Sequence, residues 1–254
     1  MIRRLMRSIW AMRGAMLVRR TLFTLLFVSA VTTSADDIPV PKHLELGRTL
    51  VANVSSETTS YKHDGLVRWK GDFLVSHYQA HTDCSGLINS LLERAESPTI
   101  DGLTRVTRRG RPRAEDYYTF ISDQNGFKRI DALTEVLPGD IIAIKYFERH
   151  DSTGHVMLVD AKPVLRTKDT KPIVEGTRQW EVLIIDSTEI AHGKGDTRVK
   201  PDGTKYDGVG RGTIRLYTNE HDQVVGYSPS TSSPRLRESA KAPIAIGRPI
   251  TKTP

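Results

Sequence analysis

The second half of the chain carries a series of short apolar runs rich in β-branched residues, with no helical pattern between them. Each run is bounded by turn residues, and Pro138-Gly139-Asp140 introduces the first one. Such runs predict β-strands at 141–146, 155–160, 180–186, 213–217 and 223–227. Parallel neighbours need a long crossover, usually a helix, so strands that follow one another without helices predict an antiparallel sheet. Any helix that covers this sheet must come from the first half of the chain.

One amphipathic helix is predicted ahead of the strands, starting at Cys84. Its apolar residues recur on one helical face, at Leu87, Ile88, Leu91, Leu92 and Ala95. Asp83 or Thr82 is expected to cap its start, and the Glu-Ser-Pro sequence at 96–98 ends it. A shorter helix is predicted around 41–54. The expected fold class is therefore α+β, with a helix packed on an antiparallel sheet.

The first 35 residues have the pattern of a secretory signal peptide. Six arginines precede an apolar stretch at 22–31, and Thr33-Ser34-Ala35 offers a cleavage site of small residues. The apolar stretch is about half of the ~20 residues that span a bilayer, which favours cleavage over a retained membrane anchor. Met12 and Met16 are alternative starts. The expected localisation is periplasmic or secreted, with no stable membrane span after cleavage.

Export also changes the meaning of the basic composition. Residues 1–35 hold six Arg and no Asp or Glu, so cleavage takes the formal charge from +7 to +1. A nearly neutral chain argues against a nucleic-acid partner. The basic run between Arg105 and Arg113 is interpreted as a solvated loop, with contact to a polyanion or a wall surface as the alternative.

About 219 residues remain after cleavage, enough for one domain with a substantial core. A single catalytic domain is expected at 36–227, with a polar, Arg-rich insertion of loops and short elements at 96–137. The glycine run at 208–212 is interpreted as a tight turn before the strand at 213. Residues 228–254 are expected to form a Ser/Pro-rich, partly mobile tail, in which 244–246 is a candidate edge strand.

Cys84 is the only cysteine of the chain. Exported proteins normally pair their cysteines or avoid them, so a single thiol requires another reason to be present. A thiol in the first turn of a helix meets unsatisfied N–H groups and the positive end of the helix dipole, which favour the nucleophilic thiolate. The alternative is a small buried core residue. The polar neighbours Asp83 and Ser85 favour the nucleophile.

A thiolate nucleophile needs an imidazole beside it and a third group to orient that imidazole. His155 opens a predicted strand directly after a glycine turn, where a helix start can meet it. Asp186 ends another strand; if the two strands pair antiparallel, its carboxylate comes to the ring. A simple turn aspartate is the alternative for Asp186, and His192 and Asp160 are weaker candidates for the same role.

Three segments together resemble the NlpC/P60 family of papain-like cysteine peptidases, which are cell-wall endopeptidases and amidases. These segments are Asp-Cys-Ser-Gly-Leu at 83–87, Leu-Pro-Gly-Asp-Ile-Ile at 137–142 and Gly-His-Val-Met-Leu-Val at 154–159. The resemblance covers roughly 84–186 and implies a papain-like fold. It makes Cys84 the nucleophile, His155 the base and Asp186 the polar third residue, with Asp83 and Ser85 as contacts to the free amino end of a stem peptide.

The chain departs from the family at one upstream position. Family members usually carry a Tyr about a dozen residues before the cysteine, and this chain has Tyr78 and Tyr61 as candidates for that role. Arg211 is a further candidate, as a cleft residue that binds a substrate carboxylate. No His/Cys cluster has zinc spacing, no Gly-x-Ser-x-Gly sequence appears, and no metal or other cofactor is expected.

The expected function is that of an exported cysteine amidohydrolase or endopeptidase that cleaves amide bonds of peptidoglycan stem peptides through a thioester acyl-enzyme. Two alternatives stay open. One is an acyltransferase or transglutaminase-like use of the same Cys84, His155 and Asp186. The other is a non-catalytic module that binds the cell wall. The bond cleaved, the peptide preference and the oligomeric state are left open by the sequence.

Overall fold

The structure is a computed structural model, and it describes residues 39–107, 110–147 and 152–250. The predicted signal peptide at 1–35 lies outside these residues. The described helices are α1 (Lys42–Asn53), α2 (Cys84–Arg94), α3 (Pro98–Thr107) and α4 (Ala114–Ser122). The described strands are β1 (Thr59–Ser60), β2 (Leu66–Arg68), β3 (Gln79–His81), β4 (Phe127–Ile130), β5 (Ile141–Lys145), β6 (Gly154–Val159), β7 (Val164–Leu165), β8 (Arg178–Thr188), β9 (Gly208–Thr218), β10 (Val224–Ser228), β11 (Arg237–Glu238) and β12 (Ile244–Pro249).

Within the described ranges, nine strands form one sheet. Eight of them follow the order β11-β10-β9-β8-β6-β5-β12-β4, and β7 pairs with β8. Each pairing in this sheet is antiparallel. β1, β3 and β2 form a small separate sheet. The predicted α+β class and the predicted antiparallel sheet are confirmed.

The two helices predicted from sequence are present. The side chain of Asp83 caps α2 by accepting a 2.7 Å hydrogen bond from the Gly86 N–H. The apolar face of α2 is buried against β6 and β8. α1 matches the helix predicted around 41–54 and packs on α2. For α2, the helical spacing of its apolar residues was a sufficient signal.

The insertion at 96–137 is more regular than predicted. It contains α3, α4 and β4, and α4 packs against β5, β6 and β12 as part of the core. A buried polar link ties it to α2, since the Tyr117 hydroxyl donates to Asn89 Oδ1 (2.8 Å) and the Asn89 amide donates to the Pro112 carbonyl (3.0 Å). The charged residues of this segment hid its helical content, because they occupy the exposed face. Arg108 and Arg109 of the basic run lie outside the described residues.

The C-terminal segment corrects the predicted domain boundary. β12 lies between β5 and β4, with Ile246 opposite Ile142 on one side and Ile130 on the other. It is thus an interior strand and not an edge strand, and the domain extends past residue 227 to Pro249. Arg248 forms an ion pair with the buried Asp140 (2.8 Å), which fixes β12 to the turn before β5. The candidate strand at 244–246 is thus present, and the Ser/Pro-rich composition of 228–243 hid only its interior position.

Apolar side chains cover both faces of the large sheet. One face packs against α1, α2 and α4, and the other encloses a second core of residues such as Ile142, Ile184 and Leu216. The sheet curls around this second core. Three strands separate β5 from β10, yet the hydroxyls of Tyr146, just beyond β5, and Tyr227, in β10, lie 2.9 Å apart. No helix in the described part of the chain is long and apolar enough to cross a membrane.

Candidate active site

The start of α2 is fixed to the sheet through a buried hydrogen bond. Cys84 is the first helical residue and is nearly buried, with 5% of its surface exposed. The Ser187 hydroxyl donates to the Thr82 carbonyl (2.5 Å), two residues before Cys84. Since Ser187 follows Asp186 in β8, this bond holds the thiol at a set position relative to the Asp186 carboxylate.

His155 and Asp186 meet across two paired strands, as the sequence predicted. Leu158 of β6 lies opposite Ile185 of β8, which puts Asp186 opposite Met157 and on the same face as His155. His155 Nε2 donates a 2.7 Å hydrogen bond to Asp186 Oδ2. The antiparallel pairing of β6 and β8 therefore brings His155 and Asp186 into contact, the condition on which the sequence prediction depended.

The ring of His155 interacts with Cys84 as well as with Asp186. Because Nε2 is engaged by the carboxylate, Nδ1 is the ring nitrogen left for the thiol. Burial acts to lower the pKa of His155, but the negative charge of the Cys84 thiolate and the hydrogen bond to Asp186 outweigh it. The pKa of His155 is thereby raised well above its usual value, so the imidazolium form is favoured at neutral pH.

Asp186 has two further partners besides His155. His192 Nε2 lies 2.8 Å from the same oxygen, Oδ2, and the Arg198 guanidinium donates to Oδ1 (2.9 Å). Burial alone would raise the pKa of this fully buried carboxyl. The charges of His192 and Arg198 and the hydrogen bond from His155 hold that pKa well below its usual range, so Asp186 stays ionised.

Asp196 completes a buried network that we call the Asp186 cluster, made of His155, Asp186, His192, Asp196 and Arg198. One oxygen of Asp196 accepts from the Arg198 Nε–H (2.8 Å), and the other accepts from Arg198 Nη2 (2.7 Å) and the His192 backbone N–H (2.7 Å). Arg198 also donates to the Gly208 carbonyl (2.9 Å). The carboxylate oxygens of both Asp186 and Asp196 thus accept hydrogen bonds from donors within the cluster.

The glycine run at 208–212 is part of β9 and not the predicted turn. Gly210 lies opposite Asp186 and Gly212 opposite Ile184, on the face that carries the cluster. A Cβ on Gly210 would lie 2.7 Å from Arg198 Nε, and one on Gly212 would lie 2.4 Å from Asp196 Oδ2. The bare strand therefore makes the space in which the loop at 192–198 packs onto Asp186.

A cavity of about 450 Å³ opens beside the cluster, with His155 and His192 in its wall. Tyr61, Glu189, Tyr146 and Tyr227 also line it. Burial, together with the negative charges of Cys84, Asp83 and Glu189, raises the pKa of Tyr61, which keeps its hydroxyl protonated at neutral pH. Of the two tyrosines considered from sequence, Tyr61 is the one that lines the cavity.

The other predicted substrate contacts are placed differently. Asp83 is engaged within the protein, as it accepts from the Gly86 N–H, from the Ser85 hydroxyl (3.1 Å) and from Arg111 (3.2 Å), and its second oxygen lies 3.2 Å from His63 Nδ1. Both Asp83 and Ser85 therefore order the helix start.

Two predicted contacts lie away from the cluster. Tyr78 packs edge-on against Trp69, with ring centroids 6.3 Å apart, and does not line the cavity. Arg211 lies opposite Ile185, hence on the reverse face of the sheet from Asp186, and forms an ion pair with Asp160 (2.9 Å). Asp160, a weaker candidate for the third residue, is thus also removed from His155. The alternation of side chains along β8 and β9 explains the placement of Arg211, and Asp160 lies just beyond the end of β6.

Sequence reasoning missed three features of the site: Arg198, Asp196 and the Ser187 tether. An isolated Asp-x-Arg in a polar loop carries no distinguishing pattern. The glycines offered one usable signal, since Gly208, Gly210 and Gly212 recur at every second residue. In a strand this spacing leaves one face bare, which indicates that another segment packs closely there.

His155, Asp186 and His192 also have the residue types of a metal site, and their ligand atoms lie within 4.8 Å of one another. The two Nε2–Oδ2 distances, 2.7 and 2.8 Å, are hydrogen-bond lengths. Two ligands of a tetrahedral zinc, each ~2.0–2.1 Å from the ion, lie about 3.3 Å apart. Arg198 adds a fixed positive charge at Asp186, which opposes a cation there. The donor set therefore fits a hydrogen-bonded network better than a metal centre.

The fold and the site define an α+β protein in which a helix-start cysteine, a histidine and a buried aspartate are in contact. No family model and no solved structure matches the chain. The chain is 36% identical over 219 residues to "Uncharacterized protein R653" of Acanthamoeba polyphaga mimivirus, a match that takes in 82% of this chain and 96% of the viral protein. The chain belongs to the same family as that protein.

Proposed function

We propose that this chain is a papain-like cysteine hydrolase that cleaves amide bonds, with Cys84 as nucleophile, His155 as general base and acid, and Asp186 as the residue that orients His155. The observation that carries the proposal is the contact of one imidazole with both the helix-start thiol and an ionised buried carboxylate. These are the three roles that nucleophilic catalysis by a thiol requires.

The first half of the reaction follows from the contacts of His155. The Cys84 thiolate attacks the carbonyl carbon of the amide, and the carbonyl oxygen becomes an oxyanion. The Cys84 N–H, one of the first four of α2 without an intrahelical acceptor, is available to stabilise this charge. His155 then gives its Nδ1 proton to the leaving nitrogen, the C–N bond breaks, and a thioester to Cys84 remains.

The second half restores the enzyme. Neutral His155 takes a proton from a water molecule, and the resulting hydroxide attacks the thioester carbonyl. The C–S bond breaks, the carboxylic acid product leaves, and the site returns to thiolate and imidazolium. Asp186 keeps the ring in one orientation throughout, because its two oxygens are held by His155, His192 and Arg198.

Peptidoglycan stem peptides are the substrate class that we propose to test first. The support is the resemblance of 83–87, 137–142 and 154–159 to cell-wall amidohydrolases, together with the predicted signal peptide. The cavity beside His155 is of a size that holds a few residues of a peptide. Since a relative belongs to a virus, substrates other than peptidoglycan belong in the same assay.

The test is mass spectrometry of products after incubation of the purified chain with peptidoglycan, with soluble muropeptides and with an unrelated peptide mixture. Cys84→Ala and His155→Asn are the variants expected to abolish product formation. His221→Asn serves as the matched control, because the His221 side chain is exposed and lies against the equally exposed Glu220. We expect new fragments from the parent chain and from His221→Asn only.

Each outcome points to one reading of the site. Fragments that gain the mass of water establish hydrolysis, and their masses name the bond. Products that carry a joined amine or hydroxyl compound move the assignment to acyl transfer. Binding of peptidoglycan by both parent and Cys84→Ala, with no product from any substrate in reducing buffer, contradicts the hydrolase and supports a wall-binding module.

A further inference from the structure

His192 is surrounded by oxygen acceptors in a way that fixes its protonation. Its Nε2 lies 2.8 Å from the Asp186 carboxylate, and its Nδ1 lies 2.6 Å from the Pro229 carbonyl oxygen. A carbonyl and an ionised carboxylate can only accept hydrogen bonds. A neutral ring has one N–H and would turn a lone pair toward one of the two oxygens. The geometry therefore requires both ring nitrogens to carry protons, which makes His192 an imidazolium.

The backbone around His192 holds the ring in this position. Its own N–H donates to Asp196, and the Pro229 carbonyl belongs to a segment pinned by the buried Arg215, which donates to the Thr231 and Ser233 carbonyls (2.9 and 2.8 Å). A side chain at Gly212 would meet the His192 Cβ at 2.7 Å, so β9 closes the remaining side. The ring cannot turn away from Asp186 without disturbing three separate segments.

Two imidazole rings thus share one carboxylate oxygen. His155 and His192 both bond to Asp186 Oδ2, and the bonding atoms of these three residues lie within 4.8 Å of one another. A second donor on that oxygen weakens the hold of Asp186 on His155, and a second positive charge repels the His155 imidazolium. Both effects make His155 release its proton more readily than an aspartate with a single histidine would allow.

We propose that His192 is a positioning residue that tunes the acidity of His155, so that the imidazolium can protonate the leaving nitrogen of an amide. This inference rests on the proposed function, in which His155 supplies that proton. A general acid works best when its proton affinity lies near the operating pH. Contact with a thiolate and a buried carboxylate raises the proton affinity of His155 above this range, and the positive charge of His192 lowers it again.

Other charged groups around the two rings set the background for this effect. His155 faces Cys84 from α2 and Asp186 from β8, while His192 faces Asp186, its loop neighbours Asp196 and Arg198, and uncharged Gly212 from β9. Tyr61, His63, Glu189, Arg235 and Arg237 line the shared cavity. Of all these groups, His192 is the cation that shares an oxygen with His155.

The main test replaces His192 by glutamine in the full chain. His192→Gln retains an N–H donor for Asp186 but removes the positive charge. The basic limb of the pH profile of kcat/KM is expected to move upward by about one pH unit, as for loss of one nearby like charge. At a fixed pH below this limb, turnover of an amide substrate is expected to fall roughly three- to tenfold. Acylation by an aryl ester with the same acyl group, measured as the first burst of released phenol, is expected to stay unchanged, because this leaving group needs no proton.

His221→Gln is the matched control, since it makes the same change at an exposed site. A merely structural role for His192 predicts equal losses for the amide and the ester and no movement of the basic limb. That result would overturn the proposal. Thermal unfolding of both variants shows whether the fold is retained.

A second measurement needs neither a folded variant nor a substrate. Nitrogen NMR of the histidine side chains in the full chain is expected to show both nitrogens of His192 protonated at neutral pH, since each lies against an oxygen that only accepts. A neutral His192 ring at neutral pH overturns the proposal, even if the chain proves to be a hydrolase. Absence of any cleavage product would contradict the proposed function. The same spectra would still show whether His192 is doubly protonated and whether it affects the titration of His155.

Discussion

Two buried aspartates of this chain each hold more than one cation, and they lie on opposite faces of the same sheet. Asp186 is fully buried between His155, His192 and Arg198. Asp160, just beyond β6, is bound by Arg48 (2.6 Å) and Arg211 (2.9 Å), whose side chains are each 38% exposed. We call this second group the Asp160 cluster. Charge pairing is common to both, but the partners differ in chemistry.

The partners decide what each cluster can do. A guanidinium stays protonated under all ordinary conditions, so the Asp160 cluster can only tie α1 and β9 to the end of β6. An imidazole gains and loses a proton near neutral pH, so the Asp186 cluster can pass a change of charge to Cys84. A buried aspartate thus indicates chemistry when titratable groups surround it, and a structural tie when arginines do.

The largest expected difference between the clusters is in catalysis. Asp186→Asn removes the charge that orients His155 and favours its imidazolium, and we expect kcat/KM for an amide substrate to fall by about 10⁴-fold, as when the aspartate of a catalytic triad is replaced by asparagine. Asp160→Asn is expected to change kcat/KM by less than about threefold, since Asp160 touches no reacting group.

Steady-state assays on the two aspartate variants, with unfolding curves for each, check this contrast. Equal losses of kcat/KM in both variants, measured where both are folded, would show that the clusters do not differ in the way that we infer.

The next difference is in stability. Arg198 is completely buried between Asp186 and Asp196, and Arg198→Met removes the cation that the two carboxylates share. Breaking a buried pair in this way costs about 3–5 kcal/mol of unfolding free energy. Arg211→Met removes a half-exposed partner and is expected to cost about 1 kcal/mol or less. Urea denaturation measures both, and a smaller loss for Arg198→Met than for Arg211→Met would contradict the contrast.

The smallest expected effect concerns the glycines under the Asp186 cluster. Gly212→Ala places a methyl group 2.4 Å from Asp196 Oδ2 and 2.7 Å from the His192 Cβ, so the loop must move. Overpacking of this kind costs typically about 1–3 kcal/mol. Gly102→Ala is the control: no atom lies within 4 Å of the added Cβ, and alanine in the middle of α3 is expected to stabilise by up to about 1 kcal/mol.

Thermal unfolding of the two glycine variants and the pH profile of Gly212→Ala provide the check. Gly212→Ala is expected to be less stable than the parent chain and Gly102→Ala more stable. Equal stability of the parent chain and both variants would show that a methyl group fits between β9 and the Asp186 cluster without displacing the loop.

The elements that the sequence predicted correctly are those whose signal is local. The helix from Cys84 follows from apolar residues at helical spacing and a capping Asp83, both within a dozen positions. The strands at 141–145 and 154–159 follow from β-branched runs after a turn. The contact of His155 with Asp186 was also predictable, because antiparallel pairing of two such strands brings a strand end beside a strand start.

The features that the sequence did not predict depend on segments distant along the chain. β12 is an interior strand because it pairs on both sides, with β5 and β4, whose residues lie about a hundred positions or more earlier in the chain. Arg211 was expected in the cleft, but its position opposite Ile185 turns it to the other face. His192 looked like a weak alternative to Asp186, whereas the fold makes it a partner on the same carboxylate.

The sequence by itself determined the α+β class, the start of α2 and the identity of the nucleophile, base and aspartate proposed here, since each depends on neighbouring residues or on one strand pairing. Only the tertiary structure decided which charges surround Asp186, because His192, Asp196 and Arg198 reach it over the bare glycine face of β9. Burial then gives these charges their strength, since a carboxylate out of water must be matched by donors that the fold alone brings together.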